Sequence, residues 1–428
     1  MNFKENILEF LSEKEANELI SSFSNESEHA VILNSQKMSD EEFLSLFPNV
    51  IKHPCVDHAY LYDKNEYALG KSIYHELGCF YLQDPSAMVT ASLLDIKEDD
   101  LVLDMCAAPG GKSIQASFKM NNNGLIVAND LSKPRAFSIV ENAERLGLKN
   151  LLVINNDFEK IYQNYKDTFD VVILDAPCSG SGMFRKDDKM IDDWSINKVY
   201  KFQEIQKRLI EISYYMLAPG GTLSYSTCSY SKEENEDVIH HLLSHSDAVI
   251  TPIKHIDGEY INPKDPIGVR LMPYKFKGEG QYICQIKKPG EKQAHRHEHE
   301  NKYQKLLPEV LKDSDVRKFG DTYFALPYRF KDNDLNVIRY GTKIASESKG
   351  ILRYDLHFAR TLNCNDFASV ELNDKEVNDY LFGNVIRKVT NIKGYVLLTY
   401  KNKSVDIAKS DCQQIKNYYP KGLRKKFY

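Results

Sequence analysis

Two cysteines carry the most suggestive chemistry in this 428-residue chain. Cys178 lies in Asp175-Ala176-Pro177-Cys178-Ser179-Gly180 and Cys228 in Ser226-Thr227-Cys228. A thiolate that adds to carbon 6 of a cytosine ring turns carbon 5 into an enamine-like nucleophile, which can then take a methyl group from a sulfonium donor. Such covalent catalysis needs a thiol pKa below the usual ~8.5, lowered by local positive charge or helix N-termini. Lys112 and the helix start after Ser231 are the candidates for that task. Chemistry alone does not choose which thiol attacks. The plainer reading, that free cysteines are small buried hydrophobes, is weakened by the residues around them.

Groups this far apart in sequence must be brought together by a sheet. Short apolar runs at 101–103, 125–128, 151–154, 171–174 and 222–226 alternate with helical patterns near 113–120, 133–146, 198–217 and 232–244. That alternation predicts an α/β fold built on a doubly wound parallel sheet. The third helix should end at Pro219-Gly220-Gly221. Residues 268–272 and 281–287, flanking the turn Phe276-Lys277-Gly278-Glu279-Gly280, predict a closing antiparallel hairpin.

Ligands of open α/β sheets bind at the carboxyl ends of the strands, where strand order reverses. Every such end here is polar. The first run ends at Asp104 and opens into Met105-Cys106-Ala107-Ala108-Pro109-Gly110-Gly111-Lys112-Ser113, whose small residues let backbone approach a ligand and whose following helix offers unpaired N–H groups to a carboxylate. Asp130, about twenty residues past the glycines, can accept both hydroxyls of a ribose. Asp157 can accept an adenine amino proton, and Asp175 and the two thiols close the mouth of the sheet. Each Asp alone could be a helix cap. Five consecutive strand ends of this kind point to one site.

Composition sets the frame. With 42% hydrophobic and 27% charged residues, and no 18-residue apolar run, the chain reads as a folded cytosolic protein rather than a disordered or membrane-spanning one. Its first residues lack the basic and apolar regions of a secretory signal, and eight scattered cysteines without a C-x-x-C fit reduced thiols rather than disulfides or zinc. The net charge of −5 argues against a nonspecific nucleic-acid coat. It hides an asymmetry: residues 1–50 hold three Lys against ten Asp or Glu, whereas 401–428 hold eight Lys or Arg against two Asp. That basic end, with Tyr418, Tyr419, Phe427 and Tyr428, suits a polyanion or a solvated terminus equally.

One helical segment is expected to about Ser24, within a small accessory domain over 1–75; the catalytic domain should span 76–287 and a linker 288–305. His295, His297 and His299 in that linker read as solvated surface, with no metal. Residues 306–428 are β-leaning and should form a separate module or pair of modules. Three smaller expectations concern the motifs: Lys232-Glu233-Glu234-Asn235-Glu236 as a helix start favoured by the dipole, Arg185 and Lys186 as phosphate contacts or a surface ion pair, and Trp194 as packing.

The runs 104–113 (DMCAAPGGKS), 175–186 (DAPCSGSGMFRK) and 225–238 (YSTCSYSKEENEDV) closely resemble the Nol1/Nop2/Sun family of S-adenosylmethionine-dependent RNA 5-cytosine methyltransferases. Gln83-Asp84-Pro85-Ser86-Ala87-Met88 also fits, as does the closing hairpin, except that Tyr274 stands where the family has His. The resemblance covers 75–287 and implies a Rossmann-like methyltransferase core. It further implies that Cys106, Ala107, Ala108, Pro109, Gly110, Gly111 and Lys112 line the methionine side of the cofactor, that Asp130 takes the ribose and Asp157 the adenine, that Arg135 belongs to the cofactor site, and that Asp175 lies between cofactor and base. In this family the Thr-Cys thiol attacks, so Cys228 should be the nucleophile and Cys178 should promote product release; DNA 5-cytosine methyltransferases use the Pro-Cys thiol instead. Residues 394–400 and 416–424 resemble the PUA-like, RNA-binding tail of bacterial small-subunit rRNA methyltransferases of the RsmF type, although 404–409 depart from the expected Gly-Trp pattern. The implied partner is rRNA or a ribosomal subunit, met by a cytoplasmic monomer, with no membrane. The rival readings are a tRNA 5-cytosine methyltransferase, an rRNA-binding assembly factor without catalysis, and an amino-directed methyltransferase; Cys178 stands where the last would need an aromatic residue.

Overall fold

In the computed structural model, which describes residues 1–185, 189–292 and 298–427, a ten-stranded sheet forms the centre of the molecule. Its five parallel strands lie in the order Leu217–Thr227, Phe169–Asp175, Leu101–Asp104, Leu125–Asn129 and Leu151–Ile154. From the central strand Leu101–Asp104 the chain winds outward to Leu151–Ile154, then crosses back to Phe169–Asp175 on the other side. The switch point therefore lies between the strands ending at Asp104 and Asp175.

The parallel strands are continuous apolar runs because both faces are covered. Alternate residues serve opposite layers. Val102, Ile126 and Ala128 pack with helices Pro85–Ser92, Gly111–Lys119 and Lys133–Leu146. Leu101, Leu103, Leu125 and Val127 pack with Ile196–Met216 and Glu236–His245. The hairpin Val269–Leu271 and Gln281–Lys287 extends the sheet in antiparallel fashion, as its turn chemistry led us to expect.

The long helix stops at Met216, short of the expected Pro-Gly-Gly stop. Leu217 already pairs with Phe169, the next pair is Val171 with Thr222, and Pro219-Gly220-Gly221 is an irregularity inside the strand. Gly220 takes φ +75° there and donates its N–H to Lys288 O at 3.0 Å. The helical start divides in two as well, Phe3–Ile7 and Glu13–Ser22, because Ser12 and Glu15 form a capping box that begins a new helix. Both helices pack on Tyr230, Tyr260 and Met272 of the catalytic region.

An antiparallel four-stranded sheet follows, in the order Ile51–Lys52, Ala59–Tyr62, His29–Leu33, Phe80–Gln83. Its last strand lies beyond residue 75, where a boundary was expected. Residues after the charged segment are mostly β, but not separate: Val337–Tyr340 pairs antiparallel with Leu151–Ile154 and covers the edge of the central sheet. Glu298 and Glu300 accept backbone bonds from Arg329 and Val316, so the described end of the expected linker is held in place. His295 and His297 lie outside the described residues. Beyond lie a four-stranded sheet (Asp315–Phe319, Thr322–Leu326, Thr342–Ser348, Ile351–Tyr354) and a three-stranded one (Ser369–Glu371, Lys393–Tyr400, Lys403–Asp411).

The two ends of the chain share one core. Val31, Leu33, Phe43 and Phe80 pack with Val370, Tyr380, Val396 and Tyr419. Lys403 Nζ, buried, meets Glu42 Oε1 at 2.5 Å, and Lys425 Nζ, still half exposed, meets Glu76 Oε2 at 2.7 Å, so two cations of the basic end are paired with carboxylates near the start of the chain. Among the described residues no helix is long and apolar enough to cross a membrane.

Candidate active site

The loop after Leu101–Asp104 is fixed from both sides. Ala107 N donates to Asn129 O at 2.7 Å, and Asn129 Nδ2 donates to Met105 O at 3.1 Å. Gly110, at φ +113°, begins helix Gly111–Lys119 with no side chain capping it, which leaves its first N–H groups open to an anion. Asp104 is buried; its Oδ2 accepts from Ser113 Oγ at 2.7 Å, and its Oδ1 makes no hydrogen bond of ordinary geometry. Burial pushes the Asp104 carboxyl up to about 7. Burial likewise pushes the Cys106 thiol up, which leaves it a neutral wall of the cleft.

Asp130 is buried at its strand end, where Oδ1 accepts from Ser132 N at 2.8 Å and Oδ2 lies 3.5 Å from Arg135 Nη2. The same nitrogen donates to Ala108 O at 2.9 Å, so Arg135 ties the Asp130 carboxylate to the glycine loop. Asp157 caps a short 3₁₀ turn through Glu159 N at 3.2 Å and pairs with Lys160 at 3.6 Å.

Across the switch point, Lys112 Nζ lies 2.7 Å from Asp175 Oδ2. Lys112 was expected beside a thiol; its charge is instead paired with this carboxylate. Asp175 Oδ1 accepts from Ser226 Oγ at 2.7 Å and Gln281 Nε2 at 3.1 Å. Gln281 lies in the hairpin segment that fits the family pattern, but no role was expected of it; this contact assigns one.

Cys178 and Cys228, at the ends of adjacent strands, face each other with Sγ atoms 3.1 Å apart. Their hydrogen bond, and then burial, push the Cys178 thiol well above its usual range. The loops behind them interlock: Gly182 N donates to Cys228 O at 2.6 Å, Tyr230 N to Ser181 Oγ at 2.9 Å, and Asn235 Nδ2 to Ser229 O at 2.8 Å. The segment before the cofactor loop reaches the same place, since Asp84 Oδ2 accepts from Glu279 N at 3.0 Å and Ser86 Oγ from Gly280 N at 3.1 Å.

Several expectations are corrected here. The acidic run 232–236 opens helix Glu236–His245 through a 3₁₀ turn, as expected, but the helix dipole does not account for its carboxylates. Glu233, Glu234 and Glu236 are all buried, and each is held by a different element: Glu233 by Asn6 Nδ2, Glu234 by the thiol loops, and Glu236 by Arg270, whose Nη1 and Nη2 donate at 2.5 and 2.6 Å. Of the two expectations for Arg185 the structure shows the ion pair, but a covered one rather than one on the surface: its side chain donates to Gly278 O at 3.0 Å and to Glu26 O and pairs with Glu279 at 3.7 Å. Lys186 lies outside the described residues. Trp194 packs with Phe3 and Phe184, as expected. Tyr274 buries its hydroxyl without a hydrogen-bond partner against the N-terminal helices. Among the described residues no group of His, Cys, Asp or Glu could hold a metal ion.

Known proteins resemble the chain along nearly its whole length. Residues 1–85 match the N-terminal domain of 16S rRNA methyltransferase RsmF, 91–287 the 16S rRNA methyltransferase RsmB/F family, and 367–425 the methyltransferase RsmF PUA domain. Ribosomal RNA small subunit methyltransferase F of Vibrio vulnificus is 31% identical over 398 residues, covering 84% of this chain and 82% of the relative. That of Vibrio parahaemolyticus is 30% identical over 440 residues, covering 92% and 91%. Among solved structures, a methyltransferase homolog protein from Pyrococcus horikoshii is 28% identical with a TM-score of 0.58, covering 66% of this chain and 93% of that one. NSun6 from Pyrococcus horikoshii, solved with SFG, shares the fold at a TM-score of 0.62 and 22% identity, covering 68% and 98%. With all three family models in order along it, and relatives at 30–31% identity over most of both chains, the chain belongs to the small-subunit rRNA methyltransferase F family.

Proposed function

We propose that this S-adenosylmethionine-dependent rRNA methyltransferase acts on carbon 5 of cytosine in small-subunit rRNA, with Cys228 as the nucleophile. The observation that carries the reading is the pair of facing thiols beside Asp175 at the switch point of the sheet. The cleft suits the cofactor: the uncapped helix Gly111–Lys119 would receive its carboxylate, the Asp104 oxygen without a hydrogen bond is an acceptor for a cationic ligand, and Asp130 and Asp157 would hold ribose and adenine. When bound, S-adenosylmethionine supplies an electrophilic methyl group.

The target base must leave its stack to reach this cavity. The Cys228 thiolate would add to carbon 6, and the displaced 5,6 electron pair would make carbon 5 nucleophilic toward the methyl group that the bound cofactor would supply, the sulfonium carbon–sulfur bond breaking with its electrons left on the thioether sulfur. Transfer of the carbon 5 proton to a base or water in the cleft would leave its electron pair to restore the double bond as the carbon 6–sulfur bond breaks and the Cys228 thiolate departs. Cys178, facing the Cys228 sulfur, assists that elimination. Asp175, held by Lys112, Ser226 and Gln281, orients the base between thiol and cofactor. Lys112 therefore fixes a carboxylate rather than activating a thiol.

In vitro methylation of small-subunit rRNA tests these roles. Cys228→Ala should abolish turnover, while Cys178→Ala should accumulate a covalent enzyme–RNA adduct. Turnover by Cys228→Ala with loss in Cys178→Ala would reverse the assignment, and absence of 5-methylcytosine in the wild-type product would end it.

A further inference from the structure

Glu234 is a buried carboxylate between the two thiol-bearing loops, and nothing in the reaction above uses it. Its Oε1 accepts from Ser179 N at 2.8 Å and from Gln206 Nε2 at 3.1 Å. Its Oε2 accepts from Ser179 Oγ and from Ser229 Oγ, both at 2.5 Å. Ser179 follows Cys178 and Ser229 follows Cys228, so each thiol is one peptide away from a residue bound to the same carboxylate. Gln206, reaching in from Ile196–Met216, also donates to Pro177 O at 2.8 Å and thereby holds the other side of Cys178.

We propose that Glu234 is a positioning residue, a charged clamp that joins the Pro-Cys and Thr-Cys loops and sets the distance and division of labour between their sulfurs. This deepens the reading of Cys228 and Cys178 given above and rests on it. Four charge-assisted hydrogen bonds to one buried carboxylate hold far more firmly than neutral ones, and they add to the direct contact of the two serine hydroxyls, whose oxygens lie 3.2 Å apart. The clamp also has a sign. Glu234, together with Asp175, faces Cys178 with negative charge, which favours the protonated thiol there. A proton retained on Cys178 is then available to the Cys228 sulfur at 3.1 Å. The clamp thus supplies a physical reason for two similar thiols to take different roles.

The full-length protein tests this through Glu234→Ala and Glu234→Gln. The glutamine keeps an oxygen for Ser179 N and Gln206, and its amide can donate to the two serine hydroxyls, which are free to rotate. The first readout requires no RNA: the rate at which mild diamide joins Cys178 to Cys228, each thiol losing its proton as the diazene is reduced to the hydrazine. We expect Glu234→Ala to slow this closure at least tenfold and Glu234→Gln to restore it to within about threefold of wild type. The second readout is site-resolved alkylation of Cys178 by iodoacetamide in a Cys228→Ala background, whose pH profile should move to lower pH in Glu234→Gln. The third is methyl transfer to rRNA: Glu234→Ala should lower kcat at least a hundredfold with KM and cofactor Kd within threefold, and Glu234→Gln should recover at least ten of that hundredfold.

Closure as fast in Glu234→Ala as in wild type overturns the clamp, even if Cys228 proves to be the nucleophile. Slowed closure in a protein that forms no 5-methylcytosine leaves the clamp standing and ends the proposed chemistry. A Cys178 profile that does not move in Glu234→Gln refutes the electrostatic half. Should Glu234→Ala fail to fold, Ser229→Ala, which removes one arm, must slow closure at least threefold or the proposal fails.

Discussion

The bond between Arg270 and Glu236 gives a stability prediction whose size follows from the structure. Arg270 is 1% exposed and Glu236 fully buried, and two parallel N–H···O bonds of 2.5 and 2.6 Å join them. Arg270 Nε also donates to Tyr230 O at 3.3 Å, and the guanidinium lies 4.5 Å from the Phe10 ring and 5.1 Å from that of Tyr282. Removing either partner leaves an unpaired charge in the interior, at a cost of about 3–5 kcal/mol. Replacing both by apolar residues leaves none and should cost about 1 kcal/mol or less. Arg270→Met and Glu236→Leu should therefore each be severely destabilising, the double variant nearly neutral, and the coupling several kcal/mol. Trp194, the only tryptophan, reports on the same region, since its ring meets Phe3 edge-on at 5.5 Å. With a urea slope of about 1–3 kcal/mol/M, each single variant should lower the midpoint of the fluorescence transition by about 1 M or more. Single variants that shift it by less than about 0.3 M, or a double variant that simply adds the two losses, would refute the reasoning.

Gly182 leaves no room for a methyl group, because a Cβ would lie 2.5 Å from Cys228 O and 3.1 Å from Gly280 O. Gly182→Ala should lower kcat at least tenfold while calorimetry shows unchanged cofactor affinity. Asp104 keeps its proton to about pH 7 when folded but titrates near 3.9 when unfolded, so its contribution to stability is full below about pH 4 and is lost as pH rises to 7. Asp104→Asn removes that slope, and urea midpoints from pH 4.5 to 7.5 should move progressively in its favour; parallel curves would contradict the shift. Lys416 and Lys421 are exposed on the basic tail. Lys416→Gln with Lys421→Gln should weaken RNA binding and flatten its salt dependence by about 1.4 in log–log slope if both touch single-stranded phosphate. Deleting 401–428 would be the wrong experiment, because Val405, Ile415 and Tyr419 belong to the core shared with the N-terminal sheet.

The strand ends were legible because strands buried on both faces must be unbroken apolar runs, so the first polar residue after each run marks its carboxyl end. Asp104 and Asp175 were found in this way, Asp130 by its distance from the glycines, and the order of the strands then brought Asp104 and Asp175 to one switch point. Contacts that join distant parts of the chain left no such local trace. The acidic residues 233–236 have the composition of any helix start, and only the fold shows that Glu233 is bound by Asn6, 227 residues away. Arg185 looks like a surface charge until Glu279 and Gly278 cover it. The basic tail looks solvated until Glu42 and Glu76 meet it. Nor does periodicity tell that Val337–Tyr340 joins a sheet whose other members lie before the charged segment, since a strand pattern names no partner.

The core shared by the two ends of the chain has a consequence for the protein's birth. The sheet that carries Val31, Leu33 and Phe80 is complete once residue 83 has been made, yet Val396 and Tyr419, which cover it, come more than 300 residues later. At about 5–20 residues per second, the nascent sheet waits some 20–70 s with its apolar face covered only by its own residues such as Phe43, Leu69 and Leu77. The N-terminal domain cannot close as an independent unit during translation, and a ribosome-bound chain offers that face to holdase chaperones until its last fifty residues emerge. A chain truncated in those residues would keep that face without its C-terminal cover and become a substrate for proteolysis, so only the full-length enzyme reaches a closed fold.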